Sequence, residues 1–139
     1  MAKASDLIEQ GRHAEVWQQY CGFLDLDVAQ FMKIQERLLL EELQLVSKSA
    51  LGRMLMGDEP PQTVEAFRRQ VPLTTYDNYA LYFDEQREDV LPEKPIAWAH
   101  SSGRGGRYKW VPYGPIVYRK LGEAALAGFL LCTARQRGE

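Results

Sequence analysis

The sequence predicts an α+β fold, mostly helical in its N-terminal portion, with a short β-hairpin around a glycine-rich loop. Apolar residues recur at helical spacing through the first third of the chain. Two short apolar runs, 96–99 and 110–112, flank the loop Ser101-Ser102-Gly103-Arg104-Gly105-Gly106-Arg107-Tyr108-Lys109. A long apolar segment then follows Gly114-Pro115.

Residues 13–23 read as a short helix, with Val16, Trp17, Tyr20 and Phe23 at helical spacing. Asp27 suits the N-cap of a longer helix reaching about Ser47. Val28, Met32, Leu39, Leu43 and Val46 form one stripe of it, widened by Phe31, Ile34, Leu38 and Leu45. The opposite face is polar, so this helix is expected to bury one side, with Met32 and the leucines in the core. Residues 57–62, with Pro60 and Pro61, read as a loop. Thr63 caps a helix over 64–70, and Val71 before Pro72 is extended. Thr75 caps another short helix through Tyr82 and Phe83. A polar stretch, 84–93, leads to strands over 96–99 and 109–113. The last helix starts at Gly114-Pro115 and reaches about Arg137. It is apolar on most sides, which calls for burial all round. Two strands and a few amphipathic helices supply little cover for it, so the chain reads as the front part of a longer protein.

Composition narrows the function classes. A chain of 139 residues has room for one domain with a modest core. At 45% hydrophobic and 26% charged residues it is ordinary for a folded protein. Its 17 basic and 19 acidic side chains leave a net charge of -2, so no general attraction to nucleic acid or acidic membranes is expected. Cys21 and Cys132 lie far apart and match no metal-ligand spacing, and His13 and His100 are too few for a histidine metal site. Residues 1–6 lack the apolar core of a signal peptide, and the apolar run 124–132 is too short to span a bilayer. Reduced thiols and a cytoplasmic location are expected.

The loop carries the chemistry. Small residues let backbone N–H groups approach phosphate oxygens, and hydroxyls and a lysine add donors. Two common phosphate motifs are excluded, because both the P-loop and the dinucleotide fingerprint, started at Gly103, require glycine where Tyr108 stands. Ser101-Ser102-Gly103, then two residues, then Gly106-x-x-Lys109, resembles instead the phosphate-binding signature of the adenylate-forming superfamily. Phe67-Arg68, Val71-Pro72-Leu73-Thr74-Thr75-Tyr76-Asp77, Tyr82 and Lys109-Trp110-Val111-Pro112 are similar to the auxin-responsive acyl-acid amido synthetase branch and its bacterial relatives. The likeness is good over about 64–113 and loose before it.

The resemblance implies that the chain is a single partial domain, 1–139, resembling the start of the synthetase N-terminal domain. Residues 1–57 would be its helical part, and 58–139 the start of a nucleotide-binding region with the loop at 101–109. Ser101, Ser102, Gly103 and Gly106 would line the β- and γ-phosphates of ATP, and Lys109 would be the loop lysine. The family's reaction activates a carboxylate as an acyl-adenylate, with Mg²⁺ neutralising charge, before an amine or thiol displaces AMP. The adenine pocket, the acid that positions Mg²⁺ and the C-terminal catalytic lysine lie downstream in such proteins, so no catalytic residue and no metal ligand is assigned here. Arg104 and Gly105 replace the family's paired threonines. Hydroxyls are lost, while Arg104 and Arg107 add charge and bidentate phosphate geometry.

Plainer readings stand beside this one. The loop also reads as a simple glycine-rich hairpin, or as an Arg-Gly-Gly segment for nucleic acid, with Tyr108 and Trp110 as stacking rings. A single copy and the acidic total charge oppose the latter. His100 beside Ser101 does not make a catalytic pair, since neighbouring strand residues point to opposite faces. Arg68-Arg69, Asp84-Glu85 and Glu88-Asp89 read as solvated, the tryptophans as packing, and Cys132 as a small buried hydrophobe. The functional alternative to a ligase fragment, inactive alone, is a non-catalytic helical module that binds a protein or self-associates through the last helix. Both expect exposed apolar surface over 116–131 in this chain.

Overall fold

A computed structural model describes residues 3–135. They divide into two compact units, one formed by residues up to 32 with those from 119 on, the other by 33–118.

In the first unit, α1 (Ala4–Glu9) and α2 (His13–Cys21) meet across a turn at Gly11, whose φ is +69°. A 3₁₀ turn, Gly22–Asp25, closes the stretch expected as one helix to Phe23. α1 was not anticipated from the sequence. Leu7, Val16 and Cys21 are buried here, and the Cys21 thiol points at the Ala127 carbonyl oxygen, 3.9 Å away. Arg12 donates two 2.6 Å hydrogen bonds to the Glu15 carboxylate. Those bonds hold the Glu15 carboxyl below its ordinary range. The contribution is present above the unfolded value and fades as pH falls through the carboxylate range.

The Asp27 cap is realised as a reciprocal box. Asp27 Oδ1 accepts from the Gln30 amide (2.7 Å) and Gln30 Oε1 from the Asp27 amide (3.0 Å). From it runs α3 (Val28–Val46). The expected buried stripe is corrected: Leu43 is the residue of α3 that is buried, while Val28 is 79% exposed and Met32 and Leu38 are exposed. Periodicity marks an apolar face; Ile34, Leu39, Leu45 and Val46 on it are half-buried, while Val28, Phe31 and Met32 at its start are open.

In the second unit the sequence reading missed α4 (Ala50–Met56). Its signal was Ser49 ahead of an apolar run. Ser49 Oγ accepts from the Gly52 amide (2.9 Å) and donates to the Val46 carbonyl (2.7 Å). A Cβ on Gly52 would collide with that same carbonyl oxygen, so the close approach of the 46–47 backbone requires glycine inside a helix. α5 (Val64–Gln70) begins as expected, with Thr63 Oγ1 accepting from the Ala66 amide (3.0 Å). Val71 is extended at φ -87°, ψ 120°. The helix expected after Thr75 is instead a 3₁₀ turn, Tyr76–Asn78, and a single turn, α6 (Ala80–Phe83). Asn78 folds back to accept from the Thr75 amide (2.7 Å), and the backbone breaks at Tyr79 (φ -111°, ψ -13°). The polar stretch hides a 3₁₀ turn, Glu88–Val90, with Val90 buried.

β1 (Ala97–His100) and β2 (Trp110–Tyr113) pair antiparallel, with Ala97 opposite Tyr113 and His100 opposite Trp110. The hairpin is the expected one, with each strand starting one residue later. α7 (Pro115–Thr133) stops at Thr133, short of the expected end, and Arg137 lies outside the described residues. No described residue of α7 is buried, in line with the little cover that the sequence offered for it. Ile116, Val117, Leu121, Phe129 and Leu131 are exposed, as both functional readings expect of this chain. Cys132 is likewise exposed rather than a buried hydrophobe. No helix among the described residues is long and apolar enough to cross a membrane.

The two thiols should therefore behave differently. Burial pushes the Cys21 thiol above its ordinary range, so both access and thiolate are scarce. A pulse of thiol reagent at mildly alkaline pH, read by peptide mass spectrometry, should modify Cys132 and spare Cys21 until denaturant is added. Equal labelling of both in the native chain would contradict the buried position of Cys21.

Candidate functional site

The loop between β1 and β2 is closed at its base by backbone and hydroxyl together. The Ser101 amide donates to the Lys109 carbonyl (3.0 Å), and Ser101 Oγ accepts from the Lys109 amide (3.1 Å). Ser101 and Lys109, at the two ends of the loop, are thus brought together. At the tip the Gly106 amide donates to the Gly103 carbonyl (2.8 Å), making a tight turn. Gly103 and Gly106 hold φ of +67° and +94°, a region that side chains rarely enter. A Cβ on Gly103 would also lie 2.9 Å from the Tyr108 ring, so Tyr108 packs where only glycine leaves room. Space beside Gly105 and Gly106 is open. Ser102, Arg104, Gly105, Gly106 and Lys109 are exposed.

The walls are aromatic. Phe83 of α6 stacks on Tyr79 (5.6 Å between centroids) and meets Tyr76 and Trp98 edge-on at 6.2 and 6.0 Å. Beyond them His100 meets Tyr108 at 4.8 Å and Trp110 at 5.3 Å. Its Nδ1 lies 2.9 Å from the Ser101 carbonyl oxygen, not at a serine hydroxyl. Trp98 and Trp110 are half-buried packing, as expected.

Sequence reasoning missed the group that organises the loop. The Tyr76 hydroxyl accepts from the Trp110 amide (2.9 Å) and donates to Asp84 Oδ1 (2.8 Å). The other oxygen of Asp84 takes Nη2 of Arg107, and Asp77 stands 4.0 Å from Arg107 Nη1. Arg107 and Lys109 both lie over the Tyr76 ring, 5.7 Å from its centroid. Eight residues separate Tyr76 from Asp84 and 23 separate Asp84 from Arg107, spacings that belong to no motif. Asp84 is therefore no mere solvated acid, and Arg107, read as a phosphate fork, is already gripped by a carboxylate. Arg104 and Lys109 form no ion pair with a described residue.

The donors present suit a polyanion: two serine hydroxyls, a left-handed glycine turn with open space beside it, and two uncommitted cations. A metal ion is a different matter. Among the described residues no group of three His, Cys, Asp or Glu side chains is arranged to hold one.

No curated protein and no solved structure matches the chain. One family does, over most of its length: the GH3 family N-terminal domain is matched across residues 21–132. That span takes in α3, the aromatic wall, the whole loop and nearly all of α7, and the chain belongs to the GH3 family through this N-terminal domain.

Proposed function

We propose that this chain is the N-terminal portion of an ATP-dependent, acyl-adenylate-forming ligase of the auxin-conjugating synthetase type and that the loop 101–109 receives the nucleotide's phosphates. The observation that carries the reading is a hairpin loop with hydroxyls at 101 and 102, left-handed glycines at 103 and 106 and a lysine at 109, all within the matched family domain. In this reading the backbone around Gly103 and Gly106 lies against the β- and γ-phosphates. Ser101 and Ser102 donate from one side, and Lys109 supplies charge without a competing carboxylate. Arg104 stands where the family signature has a threonine and replaces a hydroxyl with a planar cation. ATP is a substrate here, and Mg²⁺ would arrive with it. The chain alone does not complete the reaction, and a bacterial-type parent with a larger C-terminal remainder is part of the proposal.

Calorimetric titration of the 139-residue chain with ATP and with pyrophosphate tests this. The wild type should bind at millimolar concentration, and Lys109→Ala should weaken binding by about tenfold, the loss of one charge-assisted bond. No heat at millimolar nucleotide would overturn the reading for this chain.

A second reading is favoured by one observation, the exposed apolar face of α7, on which Phe129 is 66% exposed. Here α7 is a surface for self-association or for a partner protein. If the wild type elutes from a sizing column as a dimer, Phe129→Asp should convert it to a monomer; an unchanged elution volume removes α7 as that surface.

A further inference from the structure

Arg107 is held by Asp84, Asp84 by Tyr76, and Tyr76 by the amide of Trp110 at the root of the loop. From this chain of contacts we infer that Tyr76, Asp84 and Arg107 form a positioning latch: Arg107 sets the loop's shape from the side, while Arg104 and Lys109 are the cations left to meet the anion. The inference rests on the anion-site reading above and deepens it by sorting the loop's three cations into two roles.

Three features argue for it. Asp84 engages both oxygens at once, one with the Tyr76 hydroxyl and one with the guanidinium, so neither partner moves without the other. Asp77 adds a second carboxylate near Arg107, while Lys109, over the same ring, has none. Trp110 N–H points away from β1, and the Tyr76 hydroxyl is the acceptor it has. Tyr76 therefore ties the turn before α6 to the strand that directly follows Lys109. Two neighbouring carboxylates on Arg107 also make it a poor anion receiver, because a phosphate would have to displace a charge of its own sign.

The proposal has a consequence opposite in sign to ordinary electrostatics. Removing the Asp84 charge makes the neighbourhood more positive and frees Arg107, which by charge alone strengthens anion binding. The latch instead requires it to weaken, because the loop loses its support. Pyrophosphate titrated into the ¹⁵N-labelled full chain, followed by amide shifts, reads the difference. Asp84→Asn, Arg107→Gln and Tyr76→Phe should each weaken binding by about tenfold, a coupling typical of contacting residues. The Asp84→Asn/Arg107→Gln double variant should be no weaker than the worse single one. Tighter binding by Asp84→Asn, additive losses, or unchanged affinity in all three overturns the latch. Unaltered amide shifts around Leu43 and Val90, buried in the same unit as the loop, show that each variant is folded. If wild-type chain binds no pyrophosphate, the anion-site reading has failed, and the latch is judged by hydrogen exchange of the Trp110 amide in the unliganded chain. Faster exchange in Tyr76→Phe and Asp84→Asn supports it, and unchanged rates overturn it.

Discussion

The hydroxyl of Tyr76 stands between a strand amide and a carboxylate, accepting from the Trp110 amide and donating to Asp84. What surrounds the loop depends on that placement. A single hydrogen bond of this kind contributes on the order of 1 kcal/mol, and an exposed ion pair such as Arg107–Asp84 contributes about 0–1 kcal/mol. A cation over an exposed ring adds about 0.5–1 kcal/mol. None of these fixes a loop alone. Their effect comes from convergence on one ring, with Arg107 and Lys109 above it and Phe83 at its edge.

Local chemistry was the legible part of the fold. Asp27, Thr63 and the residue before Pro72 act within three or four positions of themselves, and each does what its side chain and spacing require. The hairpin was legible because two apolar runs flank a glycine loop. Coverage was not legible. The periodicity of α3 locates an apolar face but cannot say that its first turn stays open while Leu43 is buried, and an all-round apolar α7 does not create the surfaces that would bury it. α4 escaped although Ser49 announced it with the same kind of cap that Thr63 gives the equally short α5.

The site was legible to the same depth. Its residues were readable as a loop, since hydroxyls, glycines and lysine are adjacent in the chain. The division of labour among the cations was not. It arises from Asp84, which comes within reach of Arg107 only after the α6 turn and β2 are in place. The match to the GH3 N-terminal domain spans the whole loop. Arg104 and Gly105 occupy its tip, where the turn is made by the Gly103 carbonyl and the Gly106 amide.

Pro112 sits opposite Trp98, two positions from Trp110, so its backbone nitrogen faces the same side of β2 as the Trp110 amide. Proline has no hydrogen to offer there, and the Trp110 hydrogen is already taken by Tyr76. The outer edge of β2 therefore presents no donor from within the strand to an incoming chain. A strand arriving there would meet acceptors alone, so this edge of the ribbon is blunted against pairing.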